Sequence, residues 1–147
     1  MGGRMWCHFV PFEEDARAAL EALWSREFEA GRYEESVEQP TVPAHSIDEA
    51  LARSGATGTR SVLDMAGGIS PTPTDFCVSP LSPRQLVKLF GTERPTRELV
   101  VRSRHPRNFL ERGTWLSDYI ERGQGAYVIV YSNDEPTELF FAGYSFD

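Results

Sequence analysis

A short arginine-rich stretch has the residue types that best suit ligand binding. Residues 94–107 contain five arginines and one acid, Glu98, so they carry a net charge of +4 in a chain whose formal net charge is −7. A guanidinium group binds a carboxylate or a phosphate through two parallel hydrogen bonds. The candidate ligand-binding residues are Arg97, Arg102, Arg104, His105 and Arg107. The alternative is a solvated turn whose arginines pair with nearby acids.

The cysteines and histidines are the other residues that could carry chemistry. Catalysis by Cys7 or Cys77 needs a histidine base, His8 or His105, within hydrogen-bond distance, and no spacing in the sequence enforces that meeting. Cys7 and His8 are adjacent, so in a strand their side chains point to opposite faces and cannot hold one ion. We therefore expect two buried, reduced thiols, no metal and no cofactor, and we assign no catalytic residue.

The glycine-rich segments do not form a phosphate-binding loop. Residues 66–69 contain two consecutive glycines without the rest of a P-loop or of a dinucleotide-binding motif. Residues 123–125 precede a predicted strand, whereas phosphate loops follow one. Both segments therefore indicate turns. Asp64, at the end of a predicted strand beside the first glycine pair, is a further carboxylate that catalysis could use.

The bulk composition indicates one small acidic domain. The chain has 147 residues, of which 40% are hydrophobic and 12% aromatic, and this is enough to form one core. The negative charge disfavours nucleic-acid binding. The sequence lacks the apolar run of roughly 18 residues that a membrane helix needs, and its start does not resemble a secretory leader. We expect a single cytoplasmic domain over residues 1–147, with residues 1–4 as a loose extension.

Local patterns predict the elements that position these residues. Helices are expected where apolar residues recur at spacings of three and four, or where a capping box begins the segment. The predicted helices cover residues 13–30, 46–54, 82–90, 95–102 and 108–122, the last of them at least from residue 115. Runs of β-prone residues predict strands over 5–10, 59–65, 126–132 and 137–145, and a short strand over 76–78.

The last two strands predict a C-terminal β-hairpin, because turn-forming residues 132–136 separate them. A loop of four or five residues is expected. The two strands are almost continuously apolar, which favours cover on both faces of the sheet. We nevertheless expect an α+β fold in which a mostly antiparallel sheet of about four strands has its helices packed on one side.

Several segments resemble a group of small bacterial proteins of unknown function. They are LFGT at 89–92, PTR at 95–97, IERGQG at 120–125 with Tyr127 and Tyr131, FFAGYSFD at 140–147, REFEAGRY at 26–33 and GTRSVLD at 58–64. The resemblance covers most of the chain beyond Phe12, in patches. It implies a freestanding domain of bacterial origin and gives no residue a catalytic role.

The function expected from these observations is protein binding. Small size, acidity and the lack of a catalytic set favour a regulatory module of the immunity or inhibitor type, and an acidic surface attracts a partner with a basic surface. The alternative is a small enzyme or an anion-binding protein built on residues 94–107. A third alternative is a homo-oligomer formed through the C-terminal hairpin. Neither a membrane nor a nucleic acid is an expected partner.

Overall fold

The computed structural model describes residues 4–34, 44–104 and 113–145. The strands are β1 (Met5–Pro11), β2 (Gly68–Ile69), β3 (Cys77–Pro80), β4 (Gly125–Ser132) and β5 (Glu135–Tyr144). The helices are α1 (Ala16–Glu29), α2 (Ile47–Thr57), α3 (Pro83–Phe90) and α4 (Arg97–Arg102). Two short 3-10 turns span Val62–Asp64 and Leu116–Tyr119. These elements confirm the α+β class.

The sheet has five strands in the order β1-β5-β4-β3-β2, and it is mixed. The β1–β5 and β4–β5 pairs are antiparallel, as expected, and the C-terminal hairpin is paired along its length. The β3–β4 and β2–β3 pairs are parallel, so the prediction of about four strands missed this end of the sheet. The chain between β3 and β4 carries α3 and α4, and a crossover of this kind is what joins parallel strands.

Helices cover both faces of the sheet, so the prediction of helices on one side was wrong. On one face, Leu139 and Phe141 pack in a cluster with α1, α2 and the first 3-10 turn. On the other face, Phe140 and Ala142 pack in a cluster with α3, α4 and the second turn. Successive side chains of a strand point to opposite faces, which explains why the uninterrupted apolar run of β5 is buried throughout.

The helix boundaries follow the local capping signals. The Asp15 carboxylate accepts hydrogen bonds from the first turn of α1. Ser82 begins α3 with a capping box completed by Gln85, and Gly91 ends that helix with a φ of 77°. Ser46 caps α2 as predicted, but the helix continues to Thr57, with Gly58 as its C-cap, and does not end at residue 54.

Three local predictions were wrong. Residues 59–65 form the turn Val62–Asp64 and not a strand, because the Ser61 hydroxyl accepts the Leu63 N–H and turns the chain. The predicted helix 108–122 lies partly outside the described residues, and its described part contains only the turn Leu116–Tyr119, after which the backbone is extended. The hairpin loop has two residues, Asn133 and Asp134, with φ values of 51° and 61°.

No helix in the described ranges has both the length and the apolar character needed to cross a membrane.

Candidate functional site

β1 forms one edge of the sheet, and half of its backbone groups face away from the other strands. Within the described ranges β1 pairs with β5 alone. The Ser145 N–H donates to the Arg4 carbonyl at 2.9 Å, so residue 4 faces β5. Backbone groups alternate in direction along a strand, so the N–H and C=O groups of Met5, Cys7 and Phe9 point outward.

The end of β1 has the same alternation. The Phe12 N–H donates to the Thr137 carbonyl at 3.1 Å, so Pro11 faces outward and its missing N–H costs the β1–β5 pairing nothing. The outward groups of Met5 and Cys7 make no hydrogen bond to any described residue. Unpaired groups along an edge strand form a template on which another strand can pair.

A groove runs between this edge and α1. It contains a cavity of about 460 Å³ lined by residues 4–8, by Glu27 of α1, by residues 31–34 after α1 and by residues 59–61. A second cavity, of about 250 Å³, lies further along β1 at Val10 and Pro11 and is lined on the other side by Ala19, Ala22 and Leu23 of α1. We call the two together the β1–α1 groove. One end of this groove is polar and the other is mostly apolar.

The polar end is built around a buried carboxylate. Glu27 of α1 is 2% exposed. The Arg32 guanidinium donates to its Oε2 atom through Nε at 2.8 Å and through Nη2 at 2.5 Å. The Arg26 Nε atom lies 3.6 Å from the same oxygen, and the His8 Nε2 atom lies 3.4 Å from Oε1. Two arginines and a histidine therefore surround one carboxylate.

These contacts determine the protonation states at neutral pH. Burial opposes ionisation of Glu27, but the Arg32 hydrogen bond and the charges of Arg32, Arg26 and, at low pH where it is protonated, His8 outweigh it, and the pKa of Glu27 is lowered. Burial lowers the pKa of His8; the Glu27 carboxylate opposes this effect, while Arg26 and Arg32 add to it. The polar end thus holds an ionised glutamate beside a neutral imidazole.

Trp6 forms a wall of the same cavity. Its side chain is 6% exposed and stacks with the His8 ring, with a centroid distance of 6.3 Å. The indole packs on Gly143 of β5, where an added Cβ atom would lie 2.3 Å from the indole Cζ2 atom. The indole N–H is buried and has no acceptor within the described ranges. Trp6 therefore contributes a buried hydrogen-bond donor, unpaired among the described residues, next to this cavity.

Hydroxyl groups form the opposite wall and are held by Asp64. The Thr59 N–H and the Thr59 hydroxyl both donate to Asp64 Oδ1, at 2.6 and 2.7 Å, and the Ser61 hydroxyl lies 2.8 Å from that of Thr59. Asp64, the carboxylate that the sequence suggested for catalysis, is 2% exposed. In the structure it is a buried acceptor that holds Thr59 in the cavity wall.

The predicted arginine site lies on the opposite face of the sheet. Arg97 donates to Glu138 at 3.1 Å and its guanidinium lies 4.2 Å from the centroid of the Phe9 ring. The Arg104 Nη1 atom lies 3.0 Å from the Cys7 sulfur atom.

Arg97 and Arg104 thus both contact β1, whereas Arg102 pairs with Glu98 on α4 at 2.7 Å. His105 and Arg107 lie outside the described residues.

The two cysteines and the possible metal ligands are the remaining candidates that the sequence offered. Cys7 and Cys77 are half-buried and are not joined to each other. No group of three or more possible metal ligands occurs there.

Sequence reasoning missed the β1–α1 groove and its polar residues. Glu27 falls three residues after Trp24 and seven after Leu20, so it lies on the buried stripe of α1. An acid in that position was the available signal, because acids are rarely buried without a partner.

Comparison with known proteins gives no relative from which a function could be carried over. No protein-family model, no curated protein and no solved structure matches this chain.

Proposed function

We propose that this chain is a protein-binding module that accepts an extended segment of a partner as an additional strand on the outer edge of β1. One observation carries the proposal: the outward backbone groups of Met5, Cys7 and Phe9 have no hydrogen-bond partners in the described part of the chain. An extended peptide offers matching groups at a two-residue repeat. Strand addition of this kind is a widespread mode of peptide recognition.

The β1–α1 groove supports this mode of binding. A peptide paired with β1 directs every second side chain to one face, and α1 borders the groove on that face. The cavity at Val10 and Leu23 suits an apolar side chain, whereas the cavity at His8 and Arg32 suits a polar one. Backbone pairing then supplies affinity and the two cavities supply selectivity.

Acidity supports a regulatory role of the immunity or inhibitor type. The formal net charge of −7 attracts a partner with a basic surface and accelerates its association. Such a role needs only binding, because an inhibitor acts by covering a surface of its partner.

The described geometry favours the groove over the alternatives from the sequence. The guanidinium groups of Arg97, Arg102 and Arg104 have three different partners, Glu138, Glu98 and Cys7, and no described contact joins them around one position for an anion. Both strands of the C-terminal hairpin lie inside the sheet, between β1 and β3. Self-association by strand pairing therefore needs an edge strand, β1 or the two-residue β2, and a second copy of this chain is a competing occupant of the longer edge, β1.

The first experiment selects ligands from a phage-displayed library of random twelve-residue peptides and measures the affinity of each enriched peptide by calorimetry. The enriched peptides are then resynthesised with single N-methyl groups along the backbone. Since only alternate N–H groups of an added strand face β1, we expect affinity to fall at every second position. Sedimentation of the free protein tests whether a second copy occupies this edge. A stable dimer that dissociates when an enriched peptide binds would assign the edge to self-association.

A matched pair of variants tests the protein side. Cys7→Pro removes one outward N–H without touching the bonds to β5, whereas Cys7→Ala removes the thiol and keeps the N–H. The lost hydrogen bond contributes about 1 kcal/mol, so Cys7→Pro should weaken peptide binding roughly fivefold relative to Cys7→Ala. The melting temperature of each variant reports whether it folds. No enriched peptide, or an N-methyl scan without a two-residue period, contradicts the proposal.

A further inference from the structure

We infer that the polar end of the β1–α1 groove binds an oxyanion carried by the partner segment, with Arg32 as its main ligand. The inference rests on the proposed function, because it names the chemical group that the added strand presents beside His8. A carboxylate of an acidic side chain and a phosphate of a modified one share this chemistry.

The charge at this end of the groove is unbalanced. Arg26 and Arg32 both contact Glu27, and the described contacts of the two guanidinium groups with acids are to this one carboxylate. His8 contributes no charge near pH 7, because burial lowers its pKa and its imidazole stays neutral. Arg4 and Arg60 also line this cavity, and both pair with Glu34, at 3.5 and 3.4 Å. These described groups therefore carry more positive than negative charge, in a chain that is acidic overall. An anion entering here gains from that charge.

Arg32 has the geometry to use this charge. It donates to Glu27 through Nε and Nη2, which leaves Nη1 without an acceptor in the described part of the chain. Its side chain is 58% exposed although the carboxylate that it holds is only 3% exposed. Glu27 thus fixes the guanidinium in place from the buried side, and the exposed side stays open to a ligand. Fixing an arginine in this way reduces the entropy lost on binding.

The strand geometry gives the anion a position in the bound segment. Trp6, His8 and Val10 lie on the same face of β1 at two-residue spacing. His8 lines the polar cavity and Val10 lines the apolar one, so the cavities follow each other at the same spacing. A segment paired with β1 therefore fits best when an acidic residue and an aliphatic residue stand two positions apart. Enriched peptides should show this pattern.

The anion site can be tested without any peptide. Sodium acetate and sodium phosphate are titrated separately into the protein at constant ionic strength, and the Trp6 indole N–H signal is followed by NMR. Acetate represents an acidic side chain and phosphate represents a phosphorylated one. We expect saturable shifts with millimolar dissociation constants, and the tighter of the two probes identifies the source of the oxyanion.

Three variants are expected to change anion binding in different ways: one weakens it, one strengthens it and one leaves it unchanged. Arg32→Gln should weaken binding of the tighter probe about tenfold, as expected for a hydrogen bond to a charged group. Glu27→Gln keeps an acceptor for Arg32 but removes the negative charge, so binding should tighten about threefold or more. Arg17→Gln is the matched control, because Arg17 is 56% exposed, pairs with Glu21 on α1 and lies outside the groove lining. Weaker anion binding in Glu27→Gln, or equal binding in Arg32→Gln and Arg17→Gln, would overturn the inference.

A double-mutant cycle with an enriched peptide separates this inference from the proposed function. The acidic residue of the peptide is replaced by its amide, and both peptides are measured against wild-type protein and Arg32→Gln. We expect a loss of about tenfold against the wild type and almost none against the variant. If the N-methyl scan shows strand addition but the amide peptide binds equally well, the oxyanion inference fails and the proposed function stands. If acetate or phosphate binds but no peptide pairs with β1, the anion site stands and the proposed function fails.

Discussion

Replacement of Gly143 by alanine should displace Trp6 from the wall of the β1–α1 groove. A Cβ atom at residue 143 would lie 2.3 Å from Trp6 Cζ2, 2.7 Å from Trp6 Cε2 and 2.8 Å from the carbonyl oxygen of Gln124. Non-bonded carbon atoms prefer separations of about 3.5–4.0 Å. Because one of the contacts is backbone, the indole must move, and the strand has little freedom to absorb the added methyl group.

The cost follows from the burial of Trp6, which is 6% exposed. Overpacking a core costs about 1–3 kcal/mol, and the complete loss of a buried tryptophan costs about 3–5 kcal/mol. Replacing glycine also lowers the entropy of the unfolded chain, which returns about 0.4–1 kcal/mol. We expect a net loss of about 1–3 kcal/mol. For a chain of 147 residues this lowers the melting temperature by about 3–10 °C.

Urea unfolding followed by circular dichroism measures the loss, and a double-mutant cycle assigns it. In Trp6→Leu the side chain no longer reaches over Gly143 and only the contact with the Gln124 carbonyl remains. Adding Gly143→Ala to that variant should therefore cost about 0.5 kcal/mol or more less than it costs in the wild type, as expected for residues in contact. Additive losses in the double variant, or a Gly143→Ala protein as stable as the wild type, would refute the packing described for this wall.

Three further predictions concern β1, His8 and the hairpin loop. Amide hydrogen exchange in the free protein should alternate along β1, slow at Trp6, His8 and Val10 and fast at Cys7 and Phe9; uniform protection would contradict an open edge. Burial lowers the pKa of His8 below 6.5, so the unfolded state takes up this proton first and stability should decrease as the pH falls from 7 through 6.5 toward the folded-state pKa. The variant His8→Gln should lack that decrease. If urea unfolding at several pH values gave both proteins the same change of stability with pH, the contribution of His8 would be excluded. Asp134→Gly should stabilise the hairpin by about 0.5 kcal/mol, since Asp134 has a φ of 61° in a two-residue loop that favours glycine at this position, and a lower melting temperature would contradict this.

The parts of the fold that the sequence predicts well are those whose signals are local. Ser82, Gln85 and Gly91 mark the two ends of α3 within ten residues, and the structure uses all three as caps. The hairpin is similar, because its two strands adjoin the turn that connects them. A short strand was expected over 76–78, where β3 lies, but β2 and the parallel pairing of both strands escape such reasoning, since neither strand pairs with a hairpin partner.

The candidate site depends on distant contacts and could not be predicted in the same way. His8, Glu27 and Arg32 come from a strand, a helix and the loop after the helix, and only the packing of α1 on the sheet brings them together. The sequence of α1 gave one indication, the acid on its apolar stripe. The partners of that acid and the open edge beside it could be identified only once the register of β1 against β5 was known.

In the proposed binding mode, the acidity of the chain and the positive charge at the polar end of the groove act at different stages. Charges separated by more than the Debye length, about 10 Å at 0.1 M salt, are largely screened. On this proposal the net charge of −7 influences the approach of the partner, whereas Arg32 acts only after the segment lies in the groove. Electrostatic steering changes mainly the association rate, and a close contact changes mainly the dissociation rate.

The two effects can be separated with one enriched peptide carrying either three lysines or three glutamates beyond its paired residues. Surface plasmon resonance at 0.05 and 0.5 M salt gives both rates. The lysine-flanked peptide should associate faster at low salt and lose that advantage at high salt, with similar dissociation rates for the two peptides. Arg32→Gln should raise the dissociation rate of both peptides and leave the difference between their association rates unchanged. A faster association of the glutamate-flanked peptide would mean that the local charge of the groove governs the approach as well, and the proposed preference for a basic partner would then be wrong.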